Sequence, residues 1–193
     1  RFIQNSSSGK TGWSIAEYLY RMGHDVICVA GETKYEPSFS LPDIRKTSDP
    51  DRILEFCIDL ASSSNPPGLW IHSAAILDYQ SQKERGKRKS DTGEWNLTLY
   101  PSVKHLGELS KYTTGSTRIG FKLEDDSDEE HLIPRAYDLI SKYGLDAVIA
   151  NLISEASGSL PLRCRIVYSD KEVQEITTLQ ELCETLESII SEN

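Results

Sequence analysis

Short apolar runs alternate with stretches of helical periodicity along most of this chain, and that alternation limits the fold more than any other feature. Phe2-Ile3 and the runs 26–30, 69–75, 118–123 and 146–151 read as strands. Between them, residues 12–22 set Trp13, Ala16, Leu19 and Tyr20 on one helical face, and Gly23-His24 ends that helix. Ser48-Asp49-Pro50 reads as a helix start, with Ile53, Phe56, Cys57 and Leu60 as the buried stripe. Residues 103–112 and 128–143 are predicted helices, residues 95–100 an alternating strand, and residues 31–46 a loop with a short strand. Asn65-Pro66-Pro67-Gly68 breaks the chain ahead of the strand at 69. Repeated β-α units with short loops specify an α/β fold with a doubly wound, mostly parallel sheet and helices on both faces. After Arg163 the pattern becomes two strands about Lys171 and a final helix over 179–190. That late hairpin is expected to extend the sheet or cover its edge.

A chain of 193 residues suits a single domain over 1–193, with a proper core. Its net charge of −9 argues against nonspecific nucleic-acid binding, which works by neutralising phosphates. No apolar run approaches the ~20 residues of a membrane span, and no signal peptide precedes Arg1. The cysteines at 28, 57, 164 and 183 form no C-x-x-C pair and read as reduced thiols, so a cytoplasmic location is expected. The four histidines show no metal-ligand spacing.

Doubly wound sheets bind ligands beyond the carboxyl ends of their strands, so the loops there hold the candidate chemistry. The opening stretch, Arg1-Phe2-Ile3-Gln4-Asn5-Ser6-Ser7-Ser8-Gly9-Lys10-Thr11-Gly12, ends like a P-loop. Gln4 stands where a P-loop needs its first glycine, and the dinucleotide fingerprint fails because only Gly9 and Gly12 are present. What remains is a strand, a small-residue turn and a helix, an arrangement that aims backbone amides at an anion. Asn5 at the strand end reads as a turn former or helix cap, or as a ligand contact. After the central strand stands Ala74-Ala75-Ile76-Leu77-Asp78-Tyr79. Its small residues permit either close helix–sheet packing or the approach of a ligand to the backbone. Asp78 is then suited to a ribose hydroxyl or a hydrated magnesium ion. The basic run Lys83-Glu84-Arg85-Gly86-Lys87-Arg88-Lys89 is either a solvated loop or a flap that folds over a triphosphate and excludes water. The acidic stretch 124–130 precedes a helix N-terminus, which favours negative charge, and reads as structural.

In this order these motifs resemble the phosphopantothenate–cysteine ligase family of coenzyme A biosynthesis, which also occurs as the second half of a bifunctional flavoprotein. The resemblance runs through the opening stretch, the Ala74–Tyr79 motif, Lys87-Arg88-Lys89, Gly120-Phe121-Lys122-Leu123 and Ala150-Asn151. It implies a Rossmann-like fold and a reaction joining 4'-phosphopantothenate to cysteine with CTP or ATP and Mg2+. Asn5 matches the contact to the acyl intermediate, and Ala74 and Ala75 line the substrate channel. Ser7, Gly9, Asp78 and Phe121 fall to the nucleotide, as do Lys87 and Lys89 of the closing loop; Lys87 and Asn5 take the catalytic roles. A homodimer is implied, with residues 79–100 supplying the flexible flap and a dimerisation strand. The family also carries a glycine-rich strand and turn ahead of Arg-Phe-Ile, which this sequence does not contain. Gln4, Thr11 and Leu152 depart from the family pattern, the last by replacing an acidic residue. A noncatalytic nucleotide- or phosphopantothenate-binding paralogue is the alternative from another class, and a dinucleotide-dependent reductase is disfavoured by the missing fingerprint.

Overall fold

A computed structural model describes residues 7–81, 94, 96–157 and 163–191. The helices are α1 (Lys10–Arg21), α2 (Pro50–Ala61), α3 (His105–Leu109), α4 (Glu129–Tyr143), α5 (Ile153–Ser157) and α6 (Leu179–Ser191). The strands are β1 (Ile27–Ala30), β2 (Asp43–Lys46), β3 (Leu69–His72), β4 (Tyr79–Ser81), β5 (Leu99–Pro101), β6 (Thr117–Glu124), β7 (Ala147–Leu152), β8 (Cys164–Tyr168) and β9 (Val173–Ile176). The strand expected at Phe2-Ile3 lies outside the described residues.

The central sheet has the order β3-β6-β7-β8-β9. Its first three strands are parallel, as alternation with helices requires, and the last two are antiparallel. The late hairpin therefore extends the sheet, turning through Lys171 at φ +79°. A separate parallel pair, β1-β2, and an antiparallel ribbon, β4-β5, complete the strands.

Burial follows the two-residue period of the strands. On β7, Ala147 and Ile149 face one core with Ile119, Cys164 and Ile166, which α1 covers with Ile15 and Leu19 and α6 with Leu182 and Leu186. Val148, Ala150 and Leu152 face the other side and meet Leu132, Ala136 and Ile140 of α4. Trp70 of β3 packs on Ile53, Cys57 and Leu60 of α2 and on Leu109 of α3. Helix α1 also reaches β1 and β2 through Trp13 and Ala16, so it packs on both the central sheet and the β1-β2 pair.

Local chemistry sets the helix ends. Asp49 accepts from Asp51 N–H at 3.2 Å and Pro50 takes the first turn of α2. Gly144, at φ 62°, closes α4, and the buried Arg118 guanidinium donates to the carbonyls of Tyr143 (2.7 Å) and Gly144. The helix expected over 103–112 shortens to α3. No side chain caps its first turn, Gly107 sits inside it, and it is held by packing against the Tyr143 ring. Of the strand expected over 95–100, residue 95 lies outside the described residues, 96–98 are not strand, and Leu99 and Tyr100 fall in β5.

Candidate active site

The cleft at the carboxyl end of the sheet exists because neighbouring strands end at different heights. The β3–β6 ladder stops at His72↔Gly120, whereas β6 continues to Glu124 beside β7. Phe121 and Lys122 thus lie beyond the last rung of β3, and the chain leaving β3 bends away through Ser73, Ala74 and Ala75. Ile76 N–H donates to Ala74 C=O at 3.1 Å within that bend.

Helix α1 forms the opposite wall. A side chain at Gly12 would bring its Cβ to 2.9 Å from Ser73 Oγ, so the first turn of α1 lies hard against the end of β3. Gly9 precedes that helix at φ 76°, and no side chain caps it. Ser8 Oγ accepts from Lys10 N–H at 3.3 Å.

Ser7, Gly9, Ala74, Ala75, Asp78 and Phe121, all of them expected site residues, border one extended hollow that also runs past both ends of β3 and along α1 and β1. Asn5, Lys87 and Lys89 lie outside the described residues. Ala74 and Ala75 are exposed, so close helix–sheet packing is not the reason for their size. Phe121 is partly buried against the core on the α1 side. Asn151 at the end of β7 lines the same cleft and is buried, whereas Leu152, which follows it, packs into the α4 core.

Asp78 is exposed, and its carboxylate is paired with the Lys104 ammonium. Its carbonyl accepts from Ser102 N–H at 2.8 Å, closing the base of the β4-β5 ribbon. That ribbon pairs Tyr79↔Pro101, Gln80↔Tyr100 and Ser81↔Leu99. Gln80, Ser81, Leu97 and Leu99 line the cleft, so both arms leading to the basic run start at its rim.

Two features of the cleft carried no signal in the sequence reading. Lys104 and Lys122 place ammonium groups on its lining, Lys104 against Asp78 and Lys122 at 2.7 Å from Glu124 Oε1. His72 stacks on Trp70 with ring centroids 6.1 Å apart. Burial, with the charges of Arg118 and His105, pushes the His72 imidazole down to about 4, and burial lowers His105 as well. The Lys104–Asp78 pair joins residues 26 positions apart, which periodicity does not reach.

Among the described residues no group of three His, Cys, Asp or Glu side chains could hold a metal ion. A single exposed carboxylate such as Asp78, here paired with Lys104, fits a hydrated magnesium ion only through water or on release from that lysine, because the ion keeps most of its water and takes one or two protein carboxylates. No helix among the described residues is long and apolar enough to cross a membrane.

With this geometry in place, comparison with known proteins is decisive at the level of family. Residues 1–190 match the family described as DNA/pantothenate metabolism flavoprotein C-terminal domain. The chain belongs to that family. The coenzyme A biosynthesis bifunctional protein CoaBC of Methanocaldococcus jannaschii is 35% identical over 157 residues, covering 80% of this chain and 37% of that protein. The Thermococcus kodakarensis protein of the same name is 29% identical over 159 residues, covering 82% of this chain and 38% of its own length. The chain therefore spans less than half the length of these relatives. Family structures share the Rossmann-like fold. The DNA/pantothenate metabolism flavoprotein from Streptococcus pneumoniae superposes with a TM-score of 0.85 at 24% identity, covering 98% of this chain and 90% of the other. A Cab2 mutant in complex with phosphopantothenate-cysteine gives 0.72 at 19% identity, covering 100% and 80% respectively.

Proposed function

We propose that this chain is a ligase that joins 4'-phosphopantothenate to cysteine through an acyl-nucleotide, releasing nucleoside monophosphate and pyrophosphate. One observation carries the reading: the first turn of α1, which follows Ser7 and Gly9, lies against Ser73 at the end of β3, next to the exposed pair Ala74-Ala75, and Asp78 opens the ribbon from which the basic run leaves. Family membership and the names of the CoaBC relatives support it.

The chemistry asks for these residue types. A carboxylate does not acylate an amine, because oxide is too poor a leaving group. Attack of the carboxylate oxygen on the α-phosphorus of CTP or ATP expels pyrophosphate and leaves a mixed anhydride. The cysteine amine then attacks the acyl carbon and expels the nucleoside monophosphate. Negative charge gathers in the first step, and this reading assigns the Lys87 and Lys89 ammonium groups to offset it. A magnesium ion carried on the nucleotide supplies further charge neutralisation. Asn5 offers the acyl group a neutral amide that does not compete for phosphate. The mixed anhydride is labile in water, so a cationic loop closing from the β4-β5 ribbon protects it. Ser7, Gly9, Asp78 and Phe121 hold the nucleotide, and Ala74 and Ala75 leave room for the pantothenoyl arm. The same reading places the chain in the cytoplasm as a homodimer, joined through the exposed ribbon.

Pyrophosphate release tests it, with phosphopantothenate and either CTP or ATP, cysteine being present or omitted. Cysteine-dependent product supports the ligase. Nucleotide or phosphopantothenate binding without any turnover favours the noncatalytic paralogue instead.

A further inference from the structure

The loop that follows β1 lies across the first turn of α1. Tyr35 N–H donates to Ser8 C=O at 3.0 Å. Trp13 Nε1–H donates to Thr33 Oγ1 at 3.2 Å, and the same hydroxyl donates to Tyr35 C=O at 2.8 Å. Between these bonds stands Gly9, at φ +76°. A Cβ there would fall 2.5 Å from Thr33 Cγ2 and 2.7 Å from Thr33 Cβ, so the threonine methyl occupies the space a side chain would need. One side chain thus does three things. Its hydroxyl accepts from the helix, donates to the loop, and its methyl closes on the glycine.

Glycine reaches conformations on both sides of φ = 0, and a turn built on it wanders unless something holds it. A turn already in its binding conformation loses less entropy when an anion arrives. We propose that Thr33 is a positioning residue for the nucleotide. It fixes the Ser8-Gly9 turn in the conformation that receives the phosphates, without touching the ligand. This rests on the proposed ligase reading, which puts Ser7 and Gly9 at the nucleotide. Threonine is the fitting residue type. Valine supplies the methyl without the hydroxyl, and serine supplies the hydroxyl without the methyl.

The test compares Thr33→Val and Thr33→Ser with the wild type in the complete reaction. T33V keeps the shape but leaves the Trp13 N–H and the Tyr35 carbonyl without that partner. Its KM for nucleotide is expected to rise about tenfold, with kcat and the KM for phosphopantothenate and cysteine within about twofold of wild type. T33S keeps both hydrogen bonds and is expected to hold the nucleotide KM within about threefold. A fall in Tm with no change in nucleotide KM, or a rise shared by all three substrates, overturns the proposal. Should T33V fail to fold, Trp13→Phe removes the indole donor together with part of the buried ring; an unchanged nucleotide KM in that variant overturns it equally. If the wild type forms no product, the ligase reading has failed, and calorimetric titration with Mg-CTP and Mg-ATP decides this proposal alone. Tenfold weaker binding to T33V supports it; equal binding, or none to the wild type, overturns it.

Discussion

Asp78 holds its exposed carboxylate against Lys104 at the mouth of the cleft. An exposed pair of this kind contributes little to stability, so its placement matters through the field it gives the cleft. Lys87, by contrast, has a proposed role in catalysis alone. Lys87→Gln is expected to lower kcat by at least about a hundredfold, the size of losing one preorganised electrostatic contact, while Tm stays within a degree or two. Pyrophosphate release by the variant at the wild-type rate would contradict that role. His72 gives a second residue-scale prediction. Its folded value of about 4 lies below the ordinary 6.5, so below pH 6.5 the unfolded chain binds a proton that the folded chain refuses. Stability therefore falls as pH drops from 6.5 toward 4 and is unaffected by this group above 6.5. Urea unfolding at pH 7 and pH 5 should differ by up to about 2 kcal/mol on account of this group. His72→Gln should remove most of that difference; an identical slope in the variant would show that other groups set it. At this scale the sequence showed Ala74, Ala75 and Phe121 because small and aromatic residues at strand ends have few structural duties. It hid Thr33, whose contacts with Trp13 and Gly9 lie 20 or more positions away.

The β4-β5 ribbon is the element whose environment is least explained by the fold of one chain. Tyr79 is 56% exposed, and Leu99, Tyr100 and Val103 are each near half exposed. A two-stranded ribbon with apolar side chains in water is marginal by itself, and a second copy would cover both its edge and its faces. Sedimentation should therefore find a dimer, and Leu99→Lys with Tyr100→Lys should shift it to monomer at unchanged far-ultraviolet circular dichroism. A monomeric wild type at tens of micromolar would contradict the assignment. Elements buried on both faces were the legible ones: β3, β6 and β7 announce themselves as apolar runs, and α2 by its Asp49-Pro50 start. The short strand β4 was not placed from sequence, and β2 was expected only as a short strand somewhere within residues 31–46. Asp43-Ile44-Arg45-Lys46 is a charged edge strand whose structure comes from pairing with β1, and pairing leaves no mark in composition. Helix α5 is similar. Glu155 accepts from Leu152 N–H at 2.9 Å and pairs with the buried Arg165 at 2.6 Å, a contact set by the hairpin that follows.

For the whole molecule, a net charge of −9 and the anionic ligands of the proposed reaction pull in opposite directions. Lys104 and Lys122 on the cleft lining are each paired with a carboxylate, so the proposed reading gives the task of meeting those anions to the cationic run that follows β4. The account therefore turns on which atoms the reaction moves. The most direct measurement gives the protein phosphopantothenate labelled with oxygen-18 in its carboxylate, together with cysteine, magnesium and CTP or ATP, and follows the label by mass spectrometry. Attack on the α-phosphorus predicts cysteine-dependent phosphopantothenoylcysteine, with one labelled oxygen in the nucleoside monophosphate and none in pyrophosphate. Label in inorganic phosphate with nucleoside diphosphate as the other product, or no cysteine adduct at all, would contradict it.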